Sequence, residues 1–89
     1  MKRVRILIEG RTQAVNFRYH TQQQAQKLGL SGFVRNLSDG RVEIDAQGDD
    51  TGVEEMLVWC QEGPHSAQLK SILFRYDEPN EHVSDFVVR

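Results

Sequence analysis

Within 89 residues the spacing of the apolar side chains switches from a period of two to a helical period and back, twice. Val4, Ile6 and Ile8 alternate with Arg3, Arg5, Leu7 and Glu9, the pattern of a half-buried strand. Phe17, Thr21, Ala25 and Leu28 then recur at helical spacing, with Gln22, Gln23 and Gln26 on the other face. Leu28-Gly29-Leu30 marks the helix end: Gly29 suits the left-handed position and Leu30 can fold back on the last turn. A second strand is expected over residues 32–37. Ser38-Asp39-Gly40 is a tight turn into a third strand over residues 41–47. There Val42, Ile44 and Ala46 alternate with Arg41, Glu43, Asp45 and Gln47, which predicts one core face and one wet face. Gly48-Asp49-Asp50-Thr51 opens a second helix, with Thr51 and Glu54 at capping-box spacing. Its apolar stripe is Val53, Met56, Leu57 and Cys60, with Trp59 at the margin, and Gly63-Pro64 stops it. A fourth strand over residues 67–76 has an ambiguous phase, because Ile72, Phe74 and Tyr76 oppose Leu69 and Leu73. A polar loop and a short last strand, Phe86-Val87-Val88, follow.

The order is β-α-β-β-α-β with a terminal addition. Right-handed crossovers then place two helices on one face of an antiparallel sheet. The expected fold class is α+β, a ferredoxin-like split βαβ sandwich with a short extra C-terminal strand, in one domain over residues 1–89. Each half buries the apolar face of the other, which lets so short a chain close a core.

Charge narrows the function. Lys and Arg total 11 and Asp and Glu 13, for a net charge of −2. That leaves no field for long-range capture of nucleic acid or a membrane surface, so an anion site must be local. One cysteine, Cys60, permits neither an intrachain disulfide nor a thiolate cluster. His20, His65 and His82 lack metal-ligand spacing, and no metal or cofactor is expected. The apolar run behind Met1-Lys2-Arg3 is too short for a signal peptide, and no segment is long enough to span a bilayer. A soluble, cytoplasmic, monomeric protein is the expectation.

One stretch stands apart, Gly10-Arg11-Thr12-Gln13-Ala14-Val15-Asn16-Phe17-Arg18. It turns a strand into a helix and delivers Arg18 to the first helical turn. A helix N-terminus carries partial positive charge, so a cation there is disfavoured by up to about 1 kcal/mol. An anion held between Arg18 and the N-terminal amides would reverse that sign. The alternative is an arginine that leans away and pairs on the surface.

These residues, with those that follow, resemble the acylphosphatase family. Its signature, G-x-V-Q-G-V-x-F-R, then L-G-L-x-G, V-R-N and D-G-x-V-E, is matched by Gly10 to Arg18, Leu28-Gly29-Leu30-Ser31-Gly32, Val34-Arg35-Asn36 and Asp39-Gly40-Arg41-Val42-Glu43. Gly63-Pro64-His65-Ser66-Ala67 is similar to the family's link into its fourth strand. The resemblance covers essentially the whole chain. It implies metal-free hydrolysis of acyl phosphates to a carboxylate and inorganic phosphate, the latter as product or inhibitor, with no covalent phospho-enzyme. By the match, Arg18 holds the phosphoryl oxygens, Asn36 positions the attacking water, and the loop Gln13, Ala14, Val15, Asn16, Phe17 and Arg18 cradles the phosphate with backbone amides.

The residue types suit that chemistry. An acyl phosphate has a good leaving group, so the remaining tasks are to gather charge on the phosphoryl oxygens and to align water in line. Arginine offers a permanently charged planar fork. Asparagine offers a neutral amide that holds a water without repelling an anion. Two positions depart from the signature: Ala14 stands where the family has glycine, and Thr12 where it has valine. An alanine forced to positive φ costs roughly 1–3 kcal/mol. A weakly active or inactive anion-binding relative is therefore an alternative. An RNA-binding module of the same fold is another, but the third strand lacks the aromatics on which bases stack. The start at Met1 and the compact end favour a free-standing protein over a domain of a larger carbamoyl-transfer protein. Arg35 faces away from Asn36 by strand alternation and is expected to be structural.

Overall fold

The computed structural model describes residues 1–11, 16–63 and 69–89. Its elements are β1 (Lys2–Gly10), α1 (Phe17–Lys27), β2 (Ser31–Asn36), β3 (Val42–Gly48), α2 (Asp50–Glu62), β4 (Leu69–Asp77) and β5 (Phe86–Val88). They form one sheet in the order β4-β1-β3-β2-β5. β1 pairs antiparallel with β3 and β4, and β3 antiparallel with β2. β5 adds to β2 in parallel, so the sheet is mixed. α1 packs on β2 and β5, and α2 on β1 and β3. The β1-α1-β2 crossover thus straddles β3, as the split βαβ plan requires.

Alternation builds the core. Val4, Ile6 and Ile8 of β1, Val34 of β2, and Val42, Ile44 and Ala46 of β3 are fully buried beneath the helices. Phe17, Ala25, Val53, Met56, Leu57 and Cys60 meet them from the helix layer. Burying each large aliphatic or aromatic side chain contributes roughly 1.5–3 kcal/mol. Burial also pushes the Cys60 thiol up to about 12, so it behaves as a small apolar side chain. α1 ends as its sequence predicts. Gly29 has φ of 71°, the Leu30 N–H donates to Ala25 O at 2.9 Å and the Gly29 N–H to Gln26 O at 3.0 Å. Those two bonds satisfy the last carbonyls and turn Leu30 into the core.

Two expectations are corrected. The polar face of β3 is not wet: Glu43, Asp45 and Gln47 are 8 %, 4 % and 3 % exposed. β3 is the central strand, and arginines of its neighbours lie across it. Arg3 grips Asp45 with two nitrogens, Nε to Oδ1 at 3.0 Å and Nη2 to Oδ2 at 2.7 Å. Arg5 Nη2 donates to Glu43 Oε2 at 3.0 Å, and Arg35 Nε to Glu43 Oε1 at 2.6 Å. The Gln47 amide exchanges two hydrogen bonds with the backbone of Asn80. Burial by itself would raise the Glu43 carboxyl, but the hydrogen bonds from Arg35 and Arg5 outweigh it and hold the group below its ordinary value.

The capping box at Thr51 and Glu54 does not form either. Asp49 is the N-cap residue, without a side-chain cap bond, and Thr51 lies inside the helix. Glu54 is taken from outside the helix, accepting from Lys2 Nζ and from Tyr76 Oη, each at 2.7 Å. In β4, Ile72 and Phe74 pair with Ile8 and Ile6 and share their side of the sheet, whereas Leu73 pairs with Leu7 on the other. β4 is an edge strand, so most of it is exposed on both faces, which is why its pattern has no single phase. The expected start of this strand at Ala67 and Gln68 lies outside the described residues.

Candidate functional site

The strand register brings the singled-out residues to one end of the molecule. Ile8, Val42 and Asn36 share a rung across β1, β3 and β2. Val88 of β5 is level with Val34, so Arg89 also reaches this end. α1 starts here, because it must run back to Ser31 at the opposite end. β1 ends at Gly10, two strands from β2, and α1 lies above β2 and β5. Asn36, the last residue of β2, lies at the same end as the start of α1.

Thr12, Gln13, Ala14 and Val15 lie outside the described residues, as do Pro64, His65, Ser66, Ala67 and Gln68. What was expected of them as part of a phosphate loop, and of Ala14 and Thr12 as departures, falls there. Asn16 is described. It is the N-cap of α1 in a left-handed conformation, φ 52° and ψ 43°, which asparagine tolerates better than most residues. Its carbonyl accepts from the N–H groups of Tyr19 and His20 at 3.1 and 3.2 Å. The first turn that follows contains no acidic residue, so no side chain within that turn offsets the positive end of the helix dipole.

Phe17 and Arg18 part company at that first turn. Phe17 enters the core, 2 % exposed, with its ring stacked on Trp59. Arg18 is half-buried and turns toward β5, where Nη1 donates to the backbone oxygen of Arg89 at 3.0 Å. The Arg89 N–H donates in turn to Val34 O at 2.9 Å, two residues before Asn36. This chain of contacts ties Arg18 to the end of β2 that carries Asn36. One turn on, Gln22 Nε2 donates to Phe86 O at 3.2 Å. Gln22 is thus not simply a solvent-facing residue: with Arg18 it stitches α1 to the backbone of β5. No local sequence signal points to β5 as the holder of Arg18, since the partners are 71 residues apart.

Among the described residues, Arg18 makes no ion pair with a side-chain carboxylate, and one of its nitrogens is engaged. The other donors of its five-donor fork meet no acceptor among the described residues, and such a fork suits an oxyanion. Asn36 is exposed, and its amide makes no hydrogen bond to a described residue. Arg35 stands on the opposite face, bonded to Glu43 and 5.6 Å from the Phe33 ring centroid. His20 and His82 are exposed. Among the described residues no group of three His, Cys, Asp or Glu side chains is arranged to hold a metal ion. No helix among them is long and apolar enough to cross a membrane. The sheet face that an RNA-binding module would use is occupied: the outward positions of β3 are acids already bound by arginines. Among the described residues, the Arg18 end presents a permanent cation, a helix N-terminus and a neutral amide. Groups of these types can hold an oxyanion and orient water, and none of the three is a strong base.

The acylphosphatase family model matches residues 4–88. An acylphosphatase of Methylococcus capsulatus is 42 % identical over 88 residues, 99 % of this chain and 96 % of that one. An acylphosphatase of Trichormus variabilis is 48 % identical over 77 residues, 86 % of this chain and 76 % of its own. The crystal structure of acylphosphatase from Bacillus subtilis matches with a TM-score of 0.89 at 34 % identity, covering 100 % of this chain and 99 % of that one.

Proposed function

This chain belongs to the acylphosphatase family, and from that membership we propose that it hydrolyses acyl phosphates without a metal, Arg18 holding the phosphoryl group and Asn36 the attacking water. The observation that carries the assignment is the Arg18 guanidinium, fastened by one N–H to the backbone oxygen of Arg89, which is itself tied to Val34 of β2, and with no second partner among the described residues.

The reaction follows from those groups. The phosphoryl oxygens sit against the Arg18 fork and the positive end of α1, with the loop from Gln13 to Arg18 supplying backbone donors. Water held by the Asn36 amide attacks phosphorus in line with the bond to the acyl oxygen. The P–O bond breaks, the electron pair leaves on the carboxylate, and the water proton passes to a phosphoryl oxygen. No side chain need be a strong base, because the substrate carries its own proton acceptor. Donors held in place before reaction are worth about 3–4 kcal/mol each in such sites.

The test is hydrolysis of benzoyl phosphate with EDTA present, for the wild type, Arg18→Ala and Asn36→Ala. Turnover by the wild type, falling at least about a hundredfold in each folded variant, is the expected result. A loss below about tenfold in Arg18→Ala would remove its assigned role. No turnover in a folded wild type would overturn the assigned activity.

A further inference from the structure

α1 and α2 run antiparallel and meet at both ends by opposite means. Far from Arg18, the first turn of α2 lies against the residues that close α1. A Cβ on Gly52 would stand 3.1 Å from Leu28 O and 3.2 Å from Leu30 Cδ2, so the approach there is close. At the Arg18 end two aromatic rings stand between them. Phe17, the first residue of α1, stacks on Trp59 in the last turn of α2, with centroids 5.8 Å apart and planes 20° apart. That is a normal offset-stacking distance. Phe17 is buried and Trp59 packs on the same core. The helix pair is joined by a close backbone approach at one end and by stacked rings at the other.

The stacked end is the one that carries Arg18. Phe17 and Arg18 are adjacent in one helical turn, so any tilt of α1 carries the guanidinium and the helix N-terminus together. If Arg18 holds the phosphoryl group, as argued above, the position of this turn sets where that group can sit. Resting on that assignment, we propose that Trp59 is a positioning residue for the reaction: its ring, stacked on Phe17, holds the first turn of α1 at the spacing the phosphoryl group requires. Trp59 need not touch substrate. Without its ring the first turn of α1 loses the contact that fixes it, and a displacement of about 1 Å is enough to cost two orders of magnitude in rate.

A purely structural Trp59 would cover the core and leave the site alone, and kinetics separate the two roles. Trp59→Leu and Trp59→Met remove the ring in two ways, so that a folding failure of one does not hide the result. Trp59→Phe keeps a ring that can stack. Each is assayed on benzoyl phosphate, with inorganic phosphate as competitor, at a temperature where circular dichroism shows it folded. The ring-less variants are expected to lower kcat/KM by about a hundredfold and to raise the phosphate inhibition constant. Trp59→Phe is expected to return both to within about twofold of wild type. Wild-type constants in a folded ring-less variant, or a Phe variant as impaired as the ring-less ones, would overturn the positioning role. Arg18→Ala is run in parallel. If it stays active, the assignment of Arg18 fails; if it is inactive while the ring-less variants are normal, only the role of Trp59 fails.

Discussion

Arg3 and Arg18 are the same side chain in opposite situations. Arg3 spends all three guanidinium nitrogens: Nε and Nη2 on Asp45, and Nη1 on the backbone of Glu78. Arg5 and Arg35 are similarly held over β3 by Glu43. Arg18 gives one nitrogen to the backbone of Arg89. The first set has its charge answered by carboxylates of the next strand, so its role is to let a central strand bury acids. Among the described residues Arg18 is steadied but not saturated, which leaves the donors that its proposed role would use. Whether an arginine is structural or functional is decided by its partners rather than by its type.

The comparison breaks most visibly at Arg18. Arg18→Ala is expected to cut turnover at least about a hundredfold while costing at most about 1 kcal/mol of stability, since one partly exposed hydrogen bond is lost. Parallel activity and urea-unfolding measurements check both halves. Glu43→Gln inverts that signature. Arg5 and Arg35 lose a charged acceptor, and the loss of about 1–3 kcal/mol would appear in the urea midpoint, with kcat unchanged in the folded protein.

The same carboxylate sets a pH dependence. Its folded pKa lies below the ordinary 4.5, so its contribution is fully present above that value and is lost as pH falls through the folded one. Unfolding free energy measured from pH 6 down to about 3 is expected to decline less steeply in Glu43→Gln than in wild type. A parallel decline would show that Glu43 is not the group responsible. The smallest effect belongs to Arg35→Ala. Its guanidinium is 44 % exposed, so the pair contributes about 0–1 kcal/mol, and kcat is expected to stay within about twofold. A large loss of activity there would erase the distinction between the two sets of arginines.

Particular residues show what could be read in advance. The strands of β1 and β3 follow from alternation, and the end of α1 from Leu28-Gly29-Leu30, because both depend on neighbours a few residues away. Arg18 was conspicuous because a cation at a helix start opposes the local dipole. Glu43, Asp45 and Gln47 are buried although alternation marks their face as polar, because alternation reports which face is polar and not what lies over it. Thr51 and Glu54 have the spacing of a cap, yet Lys2, 52 residues away, takes the carboxylate.

The order of elements, the apolar faces that must meet and the family signature that names Arg18 and Asn36 are all written in short-range spacing along the chain. That the residue after β5 holds Arg18, that arginines roof the acids of β3 and that Phe17 stacks on Trp59 emerge with the assembled fold. Those contacts join residues remote in the chain. Their geometry is set by strand register and helix packing, which no local pattern encodes.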